Sequence, residues 1–261
     1  MTDNAALIFE GLLERLYMLP FSQTSKIKDL EIRIYTELQN HPANICGLIT
    51  LMFLQIMQGN RVGAKDTAYK IWDIGGELSP YFEAAYIENL LNIGLLDMAE
   101  ILLKPRSEQL TSENIKYFCS SLIKFAIITG NLDLLERLKS FYITSDDENL
   151  LYEFVEMFRI AGCVGQFKNI QKLIFDHIKN NVCAYEYNLY DDRGFADLEI
   201  EIYTNGDEAQ NQKELSVLNR KLDSYWFSCG KQRLYNHSVV FKHIREHNSW
   251  IEPDPKFLEE L

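Results

Sequence analysis

His243 and His247 stand four residues apart, the spacing that sets two metal ligands on one face of a helix. With Cys229 and His237 they make a nominal four-ligand set for zinc or a similar ion. The pattern fits no metal motif, because Ile244-Arg245-Glu246 separates the two histidines where a zinc protease carries its glutamate beside the first. The pair also falls at the end of an expected strand. Exposed histidines at a strand end are the simpler reading, and neither a metal nor a cofactor is expected.

A second stretch, Gly59-Asn60-Arg61-Val62-Gly63-Ala64-Lys65-Asp66-Thr67, has the glycines, lysine and hydroxyl of a phosphate cradle. Its spacing is wrong for one. Three residues separate the glycines, Ala64 parts glycine from lysine, and Asp66 stands where a hydroxyl should hold magnesium. The stretch also joins helix to helix rather than strand to helix. A third group, Asp191, Asp192, Asp197, Glu199 and Glu201, could bind a hard cation or do acid–base work. Glu199 and Glu201 fall on the outward face of an alternating strand, so solvated charge is the default, and a role for the cluster would be to meet a basic partner.

No Gly-x-Ser-x-Gly, His-Glu-x-x-His or dinucleotide glycine pattern occurs, and no local signature supports cysteine–histidine nucleophilic pairing. The expectation is a protein that is not an enzyme. Aromatic residues recur through the first two thirds of the chain, mostly at core positions. Tyr81 and Tyr117 fall outside the core stripe and are candidates for partner binding, because tyrosine is enriched at binding surfaces.

The formal net charge is −12, which disfavours a broad nucleic-acid surface, since such affinity rests on clustered lysine and arginine. It leaves room for a basic protein partner. The amino terminus has no basic run ahead of its first apolar stretch, which carries Glu10 and Glu14, so a secretory signal is not expected. Ile45–Met57, the most apolar run, is too short to span a membrane and reads as a core helix. Five widely spaced cysteines without a C-x-x-C pair suit reduced thiols and a cytoplasmic location.

These residues sit in a chain ordered by a recurring phrase: Gly59 with Ala64, Gly94 with Ala99, Gly130 with Leu135, Gly162 with Phe167. Each glycine closes one amphipathic run and opens the next at a repeat of roughly 34 residues, the period of stacked helix hairpins. Pro20, Pro42 and Pro105 are read as breaks, Ser79-Pro80 as a helix start, and Ser145 with Glu148 as a capping box. The glycine in the turn and the alanine five residues on resemble the tetratricopeptide repeat family over residues 25 to 180. Leu135 and Phe167 depart from the small residue of that pattern. The resemblance implies a curved, groove-bearing protein-binding surface.

After Asn181 the apolar period shortens to two. Cys183–Tyr190 and Leu198–Tyr203 read as strands around a hairpin at Asp191–Gly194, Glu208–Trp226 as a helix, and Tyr235–Ile244 as a third strand. The expected architecture is mainly α. A tetratricopeptide-like α-solenoid over residues 1–180 precedes a small α+β domain, β-β-α-β, over 181–261, with an antiparallel sheet. Trp226 and Trp250 are expected to help dock that domain.

The leading expectation is a bacterial-type cytoplasmic adaptor that holds a protein or peptide in the array's groove, with a sheet edge free to pair with a partner strand or a second copy. The alternative is an acidic immunity protein, antitoxin or inhibitor covering a basic active site, with association steered by charge. An enzymatic site, if there were one, would be sought between the two domains.

Overall fold

The computed structural model describes residues 4–139, 147–191, 196–230 and 237–248. It is mainly helical, with a small three-stranded sheet after the helices. Ten helices come first: α1 (Asn4–Tyr17), α2 (Thr24–Asn40), α3 (Ile45–Met57), α4 (Arg61–Ile74) and α5 (Pro80–Asn92), then α6 (Leu96–Glu108), α7 (Ser112–Thr129), α8 (Leu132–Lys139), α9 (Asp147–Ile160) and α10 (Val164–Ile178). Strands β1 (Ala184–Asp191) and β2 (Ala196–Thr204), helix α11 (Glu208–Ser228) and strand β3 (His237–His243) follow, and a single 3-10 turn (Ile244–Glu246) closes the described chain.

The recurring glycines make one turn four times over. Gly59, Gly94, Gly130 and Gly162 all have φ between 61° and 76°. In each case the following N–H reaches five residues back, as from Asn60 to Gln55 and from Asn131 to Ala126, while the glycine N–H reaches three back. This paired bond satisfies the last carbonyls of the first helix and aims the second one back along it. The residue five positions on is fully buried in every unit, whether Ala64, Ala99, Leu135 or Phe167. Leucine and phenylalanine at that position therefore fill space between hairpins rather than break the pattern.

Stacking divides the helices into two rows. α1, α3, α5 and α7 touch in succession, and α2, α4, α6 and α8 each lie against one or two members of that row. α3 shows the consequence: from Gly47 to Met57 every residue is buried. One departure from the sequence expectation lies in α6, which passes through Pro105 rather than stopping there. The proline removes a single helix bond. The turn beyond is held because Arg106 pairs with Glu83 at 2.9 Å and lies over the Phe118 ring.

The expected antiparallel sheet is a mixed one. The strand order is β1-β2-β3, with β1 antiparallel to β2 and β3 parallel to it. The reason is length. α11 has 21 residues, about 31 Å at 1.5 Å each, which matches the span of nine-residue β2. It carries the chain back to the start of β2, so β3 must run in the same direction. Asp207 begins α11 with a capping box shared with Gln210. The buried apolar side chains form one cluster from Ala5 to Ile244, continuous across the change of pattern near residue 180. The capping box expected at Ser145, the hairpin tip with Asp192, and Trp250 lie outside the described residues, as does the side chain of Asp191, which ends β1 opposite Ala196.

Candidate functional site

The site begins with a charge that should not be in a core. Lys124 sits in the apolar run Leu122–Ile128 of α7, and its side chain is 1% exposed. A buried ammonium survives only when paired and hydrogen-bonded. Lys124 Nζ pairs with Glu88 of α5, meets Glu186 of β1 at 3.1 Å and donates to Asn92 Oδ1 at 3.1 Å. Asn92 Oδ1 also accepts from the backbone N–H of Tyr185, and Glu88 accepts from Ser121 Oγ at 3.0 Å. Burial alone would lower the lysine's pKa, but Glu186 and Glu88 outweigh it and the value is raised.

The network continues across the sheet. Glu186 stands directly opposite Glu201 in the β1–β2 register, an arrangement that would repel if left bare. Lys124 answers the first carboxylate. Lys242 of β3 and the Tyr203 hydroxyl answer the second. Burial pushes the Glu186 carboxyl up, but Lys124 and His247 hold it below the ordinary range. The His247 ring lies 4.4 Å from Phe21 in a stacked pair and 4.6 Å from Tyr203, with Nε2 3.6 Å from Glu186, while its carbonyl accepts from the Phe21 N–H.

The C-terminal unit is thus seated on α5, on Lys124 of α7 and on the last helix pair, α9 and α10. β1 packs on α5 and α9, β2 on α9, and α11 on α10. Asn205 donates to the Gly59 carbonyl in the α3–α4 turn, so close that a Cβ on Gly59 would strike it. His247 anchors the other end at the α1–α2 turn. The Cys183 thiol, pushed up to about 11 by burial, is packed into the same seam.

The other face is open. A cleft of about 490 Å³ lies between α4, α5 and α6, within the range of ligand-sized pockets. Its apolar wall is Ile45, Ile71, Leu78, Tyr86 and Leu102. Trp72 stands at the edge, 39% exposed. α4 also exposes Tyr69, Val62 and Ile74, with Tyr69 at 51% and Val62 at 72%. Gly75 and Gly76, both with positive φ, turn the chain at the cleft mouth, where Glu77 and the Arg106–Glu83 pair supply charge.

The residues singled out in sequence fall in different places. Tyr81 is half-buried, its ring edge-on to Phe82 at 5.4 Å, and its buried hydroxyl meets no hydrogen-bond partner among the described residues. Tyr117 is exposed, with Lys116 Nζ 5.3 Å from its ring centre. Glu201 is buried rather than solvated, because Lys242 and Tyr203 draw it in. Glu199 is only partly exposed and accepts from Tyr190 at 3.5 Å. The histidines expected to be exposed are not so. His247 is buried as described, His237 is buried against Gln171 at 3.0 Å, and His243 caps the 3-10 turn. Among the described residues no three His, Cys, Asp or Glu side chains are grouped to hold a metal ion. Gly59–Thr67 forms a helix–helix turn in which Asn60 caps Gly63 and Arg61 reaches the carbonyls of Ile93 and Lys179.

Lys124, Glu88, Asn92 and Glu186 were not singled out in the sequence. One signal was present: a lone lysine in the seven-residue apolar run Leu122–Ile128, with Asn89 and Asn92 one hairpin earlier. No described helix is long and apolar enough to cross a membrane. Compared with family models, curated proteins and solved structures, the chain matches none.

Proposed function

We propose that this chain is a non-enzymatic, tetratricopeptide-like scaffold that binds a protein partner, and that the docking surface is the even-numbered helix face around Trp72. The observation that carries this reading is the asymmetry between the faces. In the odd-numbered row, where a repeat groove would offer itself, α5 and Lys124 of α7 are met by the chain's own sheet. The even-numbered face keeps an apolar cleft with an exposed tryptophan beside it. Exposed apolar surface of this kind, rimmed by polar groups, marks interaction sites, and tryptophan and tyrosine are the usual anchors.

The test is affinity capture with three forms of the full chain: unaltered, Trp72→Ala with Tyr69→Ala, and Phe227→Ala. Phe227 is 89% exposed on α11 and serves as the control for unspecific stickiness. A protein retained by the unaltered chain and by Phe227→Ala, but lost from the double variant, supports the reading. Retention by all three forms, or by none, overturns it.

A second reading, an acidic inhibitor of a basic enzyme, draws on the net charge of −12 and on Tyr190 and Glu199 at the less covered end of the sheet. It predicts capture that survives the Trp72 and Tyr69 changes and falls steeply with added salt.

A further inference from the structure

The cleft beside Trp72 has a charge as well as a shape, and the two together select a partner. Resting on the reading of that face as the docking surface, we propose that its occupant is a basic amphipathic peptide segment: an aliphatic or aromatic anchor in the cleft, with a lysine or arginine beside it.

Four observations carry this. The floor formed by Ile71, Leu78, Tyr86 and Leu102 is apolar, and at about 490 Å³ it holds a large side chain. Charge at the mouth is negative. Arg106 is committed to Glu83 and to the Phe118 ring, while Glu77 is exposed and has no ion pair among the described residues. α4 also ends here, after 14 residues, and beyond the bond from Gly75 to Ile71 no backbone donor reaches the carbonyls of Trp72, Asp73 and Ile74 among the described residues. A helix C-terminus with open carbonyls favours a cation. Lastly, Trp72 is exposed beside the cleft, and tryptophan is the best aromatic partner for an ammonium or guanidinium. An acidic segment would meet Glu77 and the helix end with like charge, and the whole-chain charge of −12 adds to that bias.

A random library of short displayed peptides, selected on the immobilised full chain, tests the assignment. The enriched sequences are then synthesised and titrated by calorimetry. The expected result is a Leu, Phe or Met with a Lys or Arg within a few positions. Replacing that basic residue with glutamate should weaken binding about tenfold, and Trp72→Ala should do the same. Glu77→Lys, in an exposed turn that does not bear on folding, should remove the preference for basic peptides. Enrichment of acidic or uncharged sequences that still depend on Trp72 would overturn the proposal and leave the docking face standing. Peptides indifferent to Trp72→Ala, or no enrichment at all, would overturn both.

Discussion

The two faces of the helical array solve one problem differently. Every helix hairpin has apolar surface that its partner cannot hide. On the odd-numbered row the chain covers that surface itself, with a sheet whose polar side is locked by Lys124, Glu186, Glu201 and Lys242. On the even-numbered row it leaves Val62, Tyr69, Trp72 and Ile101 in water. A covered face needs geometry, because each buried charge must find its counter-charge. An open face needs only that its exposure cost little. The difference marks one row as structure and the other as surface.

The contrast is broken most severely at Lys124. Lys124→Met leaves Glu88 and Glu186 facing each other without a cation, and removing one member of a buried ionic set costs about 3–5 kcal/mol. Urea unfolding should show that loss, and adding Glu88→Gln and Glu186→Gln to the same chain should restore most of it. If Lys124→Met alone is neutral, the seat of the sheet is apolar packing and the ionic network is incidental.

The same network sets a pH window. Glu186 is held below its ordinary range, so its contribution is complete above the unfolded value of about 4.3 and is lost as pH falls through the lower folded value. Lys124 is raised, so its contribution is present below the unfolded value of about 10.4 and is lost as pH rises through the higher folded one. Unfolding free energy should therefore fall at both extremes. Glu186→Gln should flatten part of the acid limb and leave the alkaline fall dependent on Lys124 and Glu88.

How much of this the sequence disclosed follows from what is local. The glycine turns were legible because positive φ and the paired bonds need only neighbouring residues. The mixed sheet was not legible, since the direction of β3 depends on how far α11 carries the chain. Pro105 was misread because its helix is rescued from a distance by Glu83 and Phe118. The ionic seat joins Glu88, Lys124 and Glu186, separated by 36 and 62 residues, and periodicity reports nothing over such intervals. Glu201 was misplaced for a related reason: alternation tells which face a residue takes, not whether Lys242 and Tyr203 will close over it.

Two glycines sharpen the comparison at a smaller scale. Gly130 has φ +68°, and a Cβ there would lie 2.4 Å from Lys168 Cα, a backbone atom that cannot step aside. Gly75, at the open cleft, has φ +62° and nothing within 4 Å of the same atom. Gly75→Ala should cost about 1–3 kcal/mol from backbone strain alone, because φ +62° with ψ −173° is a conformation that essentially only glycine adopts. Gly130→Ala combines left-handed strain of about 1–2 kcal/mol with overpacking of about 1–3 kcal/mol. A loss at Gly130 no larger than the strain alone, about 1–2 kcal/mol in thermal unfolding, would mean that the α7–α8 turn is not pressed against α10.

The smallest effects are expected on the open face, and they decide whether it is open. Val62→Ser and Ile101→Ser remove apolar groups already in water, so each should change stability by less than about 0.5 kcal/mol. Ile71→Ser, two residues on from Tyr69 but buried at the cleft floor, replaces a core side chain with a hydroxyl and should cost more than about 2 kcal/mol. The ratio within one helix is the measurement. If Val62→Ser approached the cost of Ile71→Ser, α4 would be covered on both sides in solution, by a second copy or by part of the same chain. In that case the cleft beside Trp72 would be an interior seam, and the distinction between the two rows would disappear.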